Sequence, residues 1–156
     1  MIIHTDSFRY LWEVLENHEY NMLFDDLVVF DAGCNVGAFS LWIYPHTKMI
    51  YAVDMDEKNL KFFEETIKAN ELKSIKLYQE RLLDLAGFMS GHDIPVVDVL
   101  KLDIEGDEVE LLENNFPKDK VRVIVGEYHA RPVREILEHL GYRYKEYPNQ
   151  HFVARI

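Results

Sequence analysis

Hydrophobic and polar positions along this chain fall into two alternating rhythms, short continuous apolar runs and apolar residues spaced three or four apart. Phe8, Leu11, Trp12 and Leu15 stand at i, i+3, i+4 and i+7, which predicts a helix over residues 7–17 with Asp6 or Ser7 as its cap. Leu27 to Phe30 is a run rich in β-branched residues, the mark of a strand covered on both faces. From Ala38 the helical spacing returns, with Leu41 and Trp42 in phase, until Pro45 ends it. Residues 49–54 make a second strand ending on Asp54. Asp56 then caps a helix to about Asn70, with Leu60, Phe63 and Ile67 inward. Ile75 to Tyr78 is a third strand, and from Leu82 to Pro95 the pattern weakens into a loop around a short apolar turn, marked by Gly87, Gly91 and Pro95.

The second half repeats the alternation. Residues 96–106 read as a buried strand that carries charges, followed by a helix from Asp107 to about Asn115 with Val109, Leu112 and Phe116 inward. Val121 to His129 is a fifth strand. Pro132 opens a helix whose stripe is Val133, Ile136, Leu137 and Leu140, and Gly141 closes it. Tyr142 to Tyr147 and His151 to Ile156 form a hairpin around Pro148 and Asn149. Alternating strands and helices with a closing hairpin predict an α/β three-layer sandwich: a mostly parallel, doubly wound sheet closed by a C-terminal antiparallel hairpin.

Composition narrows the class. At 156 residues and 48% hydrophobic, the chain supports one core, so residues 1–156 are expected to form a single domain with a covering helix at 1–20. No apolar run reaches a membrane span and the first residues carry acids and no cleavable signal pattern, so a cytoplasmic protein with no membrane partner is expected. A net charge of −11, with scattered Lys and Arg, argues against a nucleic-acid partner. The single cysteine, Cys34, excludes an internal disulfide framework, and its place in a glycine turn reflects size more than reactivity.

Candidate chemistry concentrates at strand ends. Gly33 and Gly37 let the chain turn from the first strand into a helix, a place where unpaired N–H groups and the helix dipole would cradle a group that accepts hydrogen bonds. Asn35 stands where a dinucleotide fingerprint has its middle glycine, which disfavours a nicotinamide-dependent oxidoreductase. Asp31 precedes the turn and suits a cationic ligand. Asp54, about twenty residues beyond the glycines, returns a carboxylate to the same sheet edge, where it can accept both hydroxyls of a ribose. Glu80 and Arg81 follow the third strand, in the loop that borders the base in doubly wound folds. Lys101 must be paired inside the sheet, with Asp31, Asp103 or Glu127 as its carboxylate. Asp103, Glu127 and His129 end the fourth and fifth strands and are candidate bases. Asp103 and Glu127 end neighbouring strands and could hold a divalent cation against a vicinal diol, but two acids alone make an incomplete site, and no metal residue is assigned.

Asp31-Ala32-Gly33-Cys34-Asn35-Val36-Gly37, the acid at Asp54 and the terminal hairpin resemble a class I S-adenosylmethionine-dependent methyltransferase, with its Rossmann-like fold. With Lys101-Leu102-Asp103-Ile104-Glu105-Gly106 and Glu127-Tyr128-His129, the resemblance narrows to the FkbM family. It implies S-adenosylmethionine as cofactor, with Asp31, Gly33, Asn35 and Gly37 around its methionine moiety, Asp54 on the ribose, Met55 against the adenine and Asp103 beside the sulfonium. It implies O-methylation of a hydroxyl on a small molecule, sugar or natural product. The stretch Asp103-Ile104-Glu105-Gly106, in place of the Asn-Pro-Pro-Tyr type motif of amine methylation, agrees with an oxygen acceptor. The chain is short for the family, so the acceptor pocket is expected to be open or completed by a second copy in a homodimer. The alternative reading is a cofactor-binding or partner-binding module that kept the fold without catalysis.

Overall fold

The computed structural model describes residues 26–129, 132–148 and 150–156. The helix expected over residues 7–17 lies outside them. Seven strands form one sheet: β1 (Leu27–Ala32), β2 (Thr47–Asp54), β3 (Ile75–Gln79), β4 (Val97–Leu102), β5 (Val121–Glu127), β6 (Arg143–Glu146) and β7 (His151–Arg155). Their order is β3-β2-β1-β4-β5-β7-β6, parallel from β3 to β5, with β7 antiparallel to both β5 and β6. The expected sandwich and closing hairpin are both present. The order reverses between β1 and β4, which opens a crevice at the carboxyl ends of those strands.

Alternate residues of the central strands feed two cores. On β1, Val29 joins the core beneath helices α1 (Ala38–Ile43) and α2 (Glu57–Ala69), with Phe39, Ile43, Leu60 and Phe63. Phe30 and Ala32 face the other core, beneath α3 (Leu85–Gly91), α4 (Glu108–Glu113) and α5 (Pro132–His139). Period-two burial on both faces is why β1 and β4 read as nearly unbroken apolar runs. Among the described residues no helix is long and apolar enough to cross a membrane.

One local expectation needs correction. The weak stretch from Leu82 to Pro95 contains a helix, α3, capped by the Asp84 carboxylate, which accepts from the Gly87 N–H at 2.9 Å. Leu85, Phe88 and Met89 are buried there, and that burial outweighs the low helix propensity of Gly87 and Gly91. Around α4 the expected Leu112 and Phe116 are buried and Val109 packs half-buried against the core, with Glu108 and Leu111 buried beside them.

Gly33 and Gly37 have φ of 74° and 83°, as the turn required. Packing gives a second reason for glycine at both positions. A Cβ on Gly33 would run into the backbone carbonyl of Asp103, and one on Gly37 into the Phe63 ring, so both are small because the protein itself closes on them. Gly33→Ala is expected to destabilise the fold by about 2–4 kcal/mol, from the left-handed penalty and from overpacking against a backbone that cannot yield. Urea denaturation checks this, and an unchanged midpoint contradicts it.

Candidate active site

Four N–H groups of the turn after β1 already have partners within the protein. Gly33 and Cys34 N–H groups donate to the Val53 carbonyl at 2.9 and 3.0 Å, Asn35 N–H to Asp54 Oδ2 at 2.8 Å, and Gly37 N–H to the Cys34 carbonyl at 2.8 Å. The cradle of unpaired donors expected from the sequence is therefore not formed by these four groups. Asn35 reaches its place with φ of 50°, left-handed like its glycine neighbours. Cys34 is buried, and burial together with Asp31 and Asp54 pushes its thiol well above the ordinary range, in keeping with a packing role.

Beside the turn lies a cavity of about 500 Å³. Gly33, Asn35, Asp54, Met55, Glu80, Asp103 and Glu127, all singled out from the sequence, line it. Asp31, Gly37 and His129 do not. Asp54 uses one oxygen for Asn35 N–H and the other for Asp56 N–H, at 2.9 Å, so the carboxylate is held in place while each oxygen keeps capacity for a ligand. Asp56 independently caps α2 through the Lys58 and Asn59 N–H groups, as expected. Met55 is 66% exposed, an apolar side chain at the cavity mouth. On the opposite rim Arg81 grips Asp107 through two hydrogen bonds of 2.7 Å. Carboxylates dominate the lining: Asp54, Asp56, Glu80, Asp103, Glu105, Asp107 and Glu127 against the cations Arg81 and Lys101.

Asp31 lies behind this wall. It is fully buried in β1, in register with Lys101 on β4, and accepts a 2.6 Å hydrogen bond from Ser40 on α1. The resemblance implies Asp31 near the cofactor's ammonium or a bound water, and full burial leaves its carboxylate no exposed surface for direct contact with the ammonium. Lys101 Nζ lies 3.5 Å from Asp31 Oδ1 and 3.3 Å from Asp103 Oδ2, and donates to the Gly33 carbonyl at 2.6 Å. Two of the three carboxylates expected for Lys101 are thus its partners. Glu127 instead meets His151 of β7 at 2.7 Å. Burial works against the Lys101 charge, but Asp31 and Asp103 outweigh it and hold the ammonium above its usual pKa. Burial pushes the Asp31 carboxyl up, with Lys101 and Ser40 pulling the other way.

At the ends of β4 and β5, Asp103, Glu127 and His129 each present a ligating atom within 4.8 Å of the others. His129 is oriented by a residue the sequence reading passed over. Glu108, at the first turn of α4, is fully buried and lies 2.9 Å from His129 Nδ1. The same carboxylate accepts from the Ile104 and Gly106 N–H groups at 3.0–3.2 Å. An acid in a helix's first turn ordinarily reads as solvated, which hid it. Its one signal was that Glu108 follows Gly106 by two residues, within reach of a loop whose N–H groups need acceptors.

A parallel sheet with a switch point, a turn that leads into a helix, an acid at the end of the next strand and a last strand set antiparallel between β5 and β6 match the fold of class I methyltransferases. The solved structures agree. Precorrin-6y C5,15-methyltransferase from Geobacter metallireducens GS-15 superposes with TM-score 0.63 over 86% of this chain and 83% of its own, at 17% identity. Magnesium protoporphyrin IX methyltransferase (ChlM) from Synechocystis PCC 6803, with bound S-adenosylmethionine, gives 0.66 over 97% and 77%, at 14% identity. M. capricolum TrmK, with S-adenosyl-homocysteine, gives 0.66 over 97% and 68%, at 16% identity. Identities this low establish the fold. The model of the methyltransferase FkbM domain matches residues 8–144, and the chain belongs to that family. A comparison with curated proteins finds no match.

Replacing Lys101 by Met removes the cation from a buried carboxylate, and a cost of about 3–5 kcal/mol is expected near neutral pH. Without its cation Asp31 has a folded pKa raised further above the unfolded value. The lost stability therefore returns as pH falls toward the ordinary carboxylate value of about 4. Denaturant titrations of both proteins from pH 8 to pH 5 should show the gap narrowing, and a pH-independent gap argues against the pairing.

Proposed function

We propose that this FkbM-family methyltransferase transfers a methyl group from S-adenosylmethionine to a hydroxyl oxygen of a small, sugar-like acceptor that is neutral or cationic. The observation that carries this reading is the trio Asp103, Glu127 and His129, three proton acceptors gathered beside the cavity that holds Asp54. An alcohol must shed a proton as it is methylated, and such groups are what oxygen acceptors need. The carboxylate-rich lining opposes a phosphorylated acceptor by like-charge repulsion.

The residues present fit the cofactor. Asp54, held by two backbone donors, has acceptor capacity left for ribose hydroxyls. Met55 offers apolar surface to the base, and Glu80 borders it. Asp103 and the other carboxylates favour a ligand with positive charge, and the turn, with these four donors already used, offers little to a pyrophosphate. When bound, the cofactor supplies an electrophilic methyl group on a cationic sulfur. The protein's part is to align the acceptor oxygen, exclude water and take the proton.

Calorimetry should show S-adenosylmethionine binding and NAD failing to bind. Asp54→Ala is expected to weaken the cofactor about 10–100-fold, the worth of hydrogen bonds to a charged group. With a panel of hydroxylated acceptors in a methyl-release assay, His129→Ala or Asp103→Asn should lower turnover about 10²–10⁴-fold, much more than cofactor affinity. Turnover should persist in excess chelator. Products methylated only on amines would overturn the oxygen assignment, and loss of turnover with chelator would shift the trio's role to cation binding.

A further inference from the structure

We propose that Glu108 is a positioning residue that turns His129 into the proton acceptor of the reaction, a step that rests on the methyl-transfer reading above. Both Glu108 oxygens already accept from backbone N–H groups, Oε1 from Ile104 and Gly106 and Oε2 from Gly106. A carboxylate has only acceptor capacity, so the 2.9 Å contact with His129 makes Nδ1 the donor. The remaining lone pair of a neutral imidazole is then on Nε2. That nitrogen lies 4.0 Å from Asp103 and 3.7 Å from Glu105, both residues of the cavity lining. Glu108 thus chooses the tautomer and aims the basic nitrogen at the rim where an acceptor hydroxyl would sit.

The groups around the ring set its basicity. Glu108 faces it from α4, Asp103 and Glu105 from the segment after β4, and Glu127 from the end of β5. Burial disfavours the imidazolium, but the Glu108 hydrogen bond and these negative charges outweigh it and hold the His129 pKa above the ordinary histidine value. In the step itself the acceptor O–H proton passes to Nε2 and the oxygen's electron pair forms the new O–C bond. The C–S bond breaks with its electrons going to sulfur, which becomes a neutral thioether. The imidazolium left behind is stabilised by Glu108, and no further reactant is needed.

The test reads His129 directly. In the wild-type protein, ¹⁵N and ring-proton NMR should show the Nδ1–H tautomer and a pKa above the ordinary value. Glu108→Gln keeps an oxygen that can accept from Nδ1 but removes the charge. The His129 pKa should then fall toward the ordinary imidazole value while the amide spectrum of the sheet is preserved. With an acceptor from the hydroxyl panel, the acid limb of the kcat profile should move to lower pH in step. In a His129→Ala background, adding Glu108→Gln should cost no further turnover.

An Nε2–H tautomer in the wild type, a His129 pKa that ignores Glu108→Gln, or an undiminished Glu108→Gln effect without His129 would each overturn the proposal. The last outcome would assign Glu108 to holding residues 104–106 alone. Failure of the wild-type protein to bind S-adenosylmethionine in calorimetry would instead sink the reading beneath. The two failures are told apart before any variant is made.

Discussion

One buried ammonium ties the site together. Lys101 sits in β4, in register with Asp31 of β1, and its three partners belong to three different places: the sheet interior, the glycine turn and the end of β4. A lysine inside a sheet costs free energy unless surrounded by negative charge and carbonyl oxygen, and this arrangement supplies both. The return is positional more than energetic. Gly33, gripped through its carbonyl by Lys101 and through its N–H by Val53, fixes the turn that sets Asn35 against Asp54. Asp103, held from the other side, stands at the end of β4. The two halves proposed for the site, cofactor and acceptor, are therefore referenced to the same charge.

Glu108 plays the corresponding part for the loop after β4. Glu105 and Gly106 both have positive φ, at 55° and 104°, and a loop bent this way turns its N–H groups inward, where they need an acceptor. A carboxylate from the next helix supplies it, and its spare capacity reaches His129 across the end of β5. The loop and the histidine are thus organised by one buried acid. A single interaction closes a backbone requirement and sets a side-chain tautomer.

What could be read from the residues follows the range of the interactions involved. The strands, the closing hairpin, the Asp56 cap of α2 and the Gly141 stop of α5 rest on contacts between near neighbours, and local pattern carried them. Lys101 was expected to be paired, because a charge within an apolar strand has no other way to be buried. Its partner could be narrowed only to three acids, because the choice depends on register. Glu127 stands one residue beyond Gly126, which pairs with Leu102, and it faces His151 across an antiparallel pairing that no local pattern announces. Helix α3 was hidden by two glycines whose low propensity is outweighed by burial of Phe88 and Met89 against the sheet. Asp31 shows the opposite failure: its residue type and place were noticed, but the direction of a side chain on a buried strand depends on which face it alternates to.

The glycine turn invites an analogy with phosphate-binding loops, and the hydrogen bonds show where the analogy ends. An anion site at a helix start needs N–H groups with no internal partner. Here Gly33, Cys34, Asn35 and Gly37 each donate within the protein, and the acceptor for Asn35 is itself a carboxylate. Putting Asp54 on the loop's own N–H converts a positive pocket into a negative one, at the same spot and with almost the same backbone. A diphosphate brought there would meet used donors and like charge, whereas a ribose brings hydroxyl donors to an oriented carboxylate and a sulfonium brings positive charge to an acidic wall. Between the two classes of nucleoside ligand, these four used donors and the carboxylate on Asn35 N–H weigh toward the one without a diphosphate.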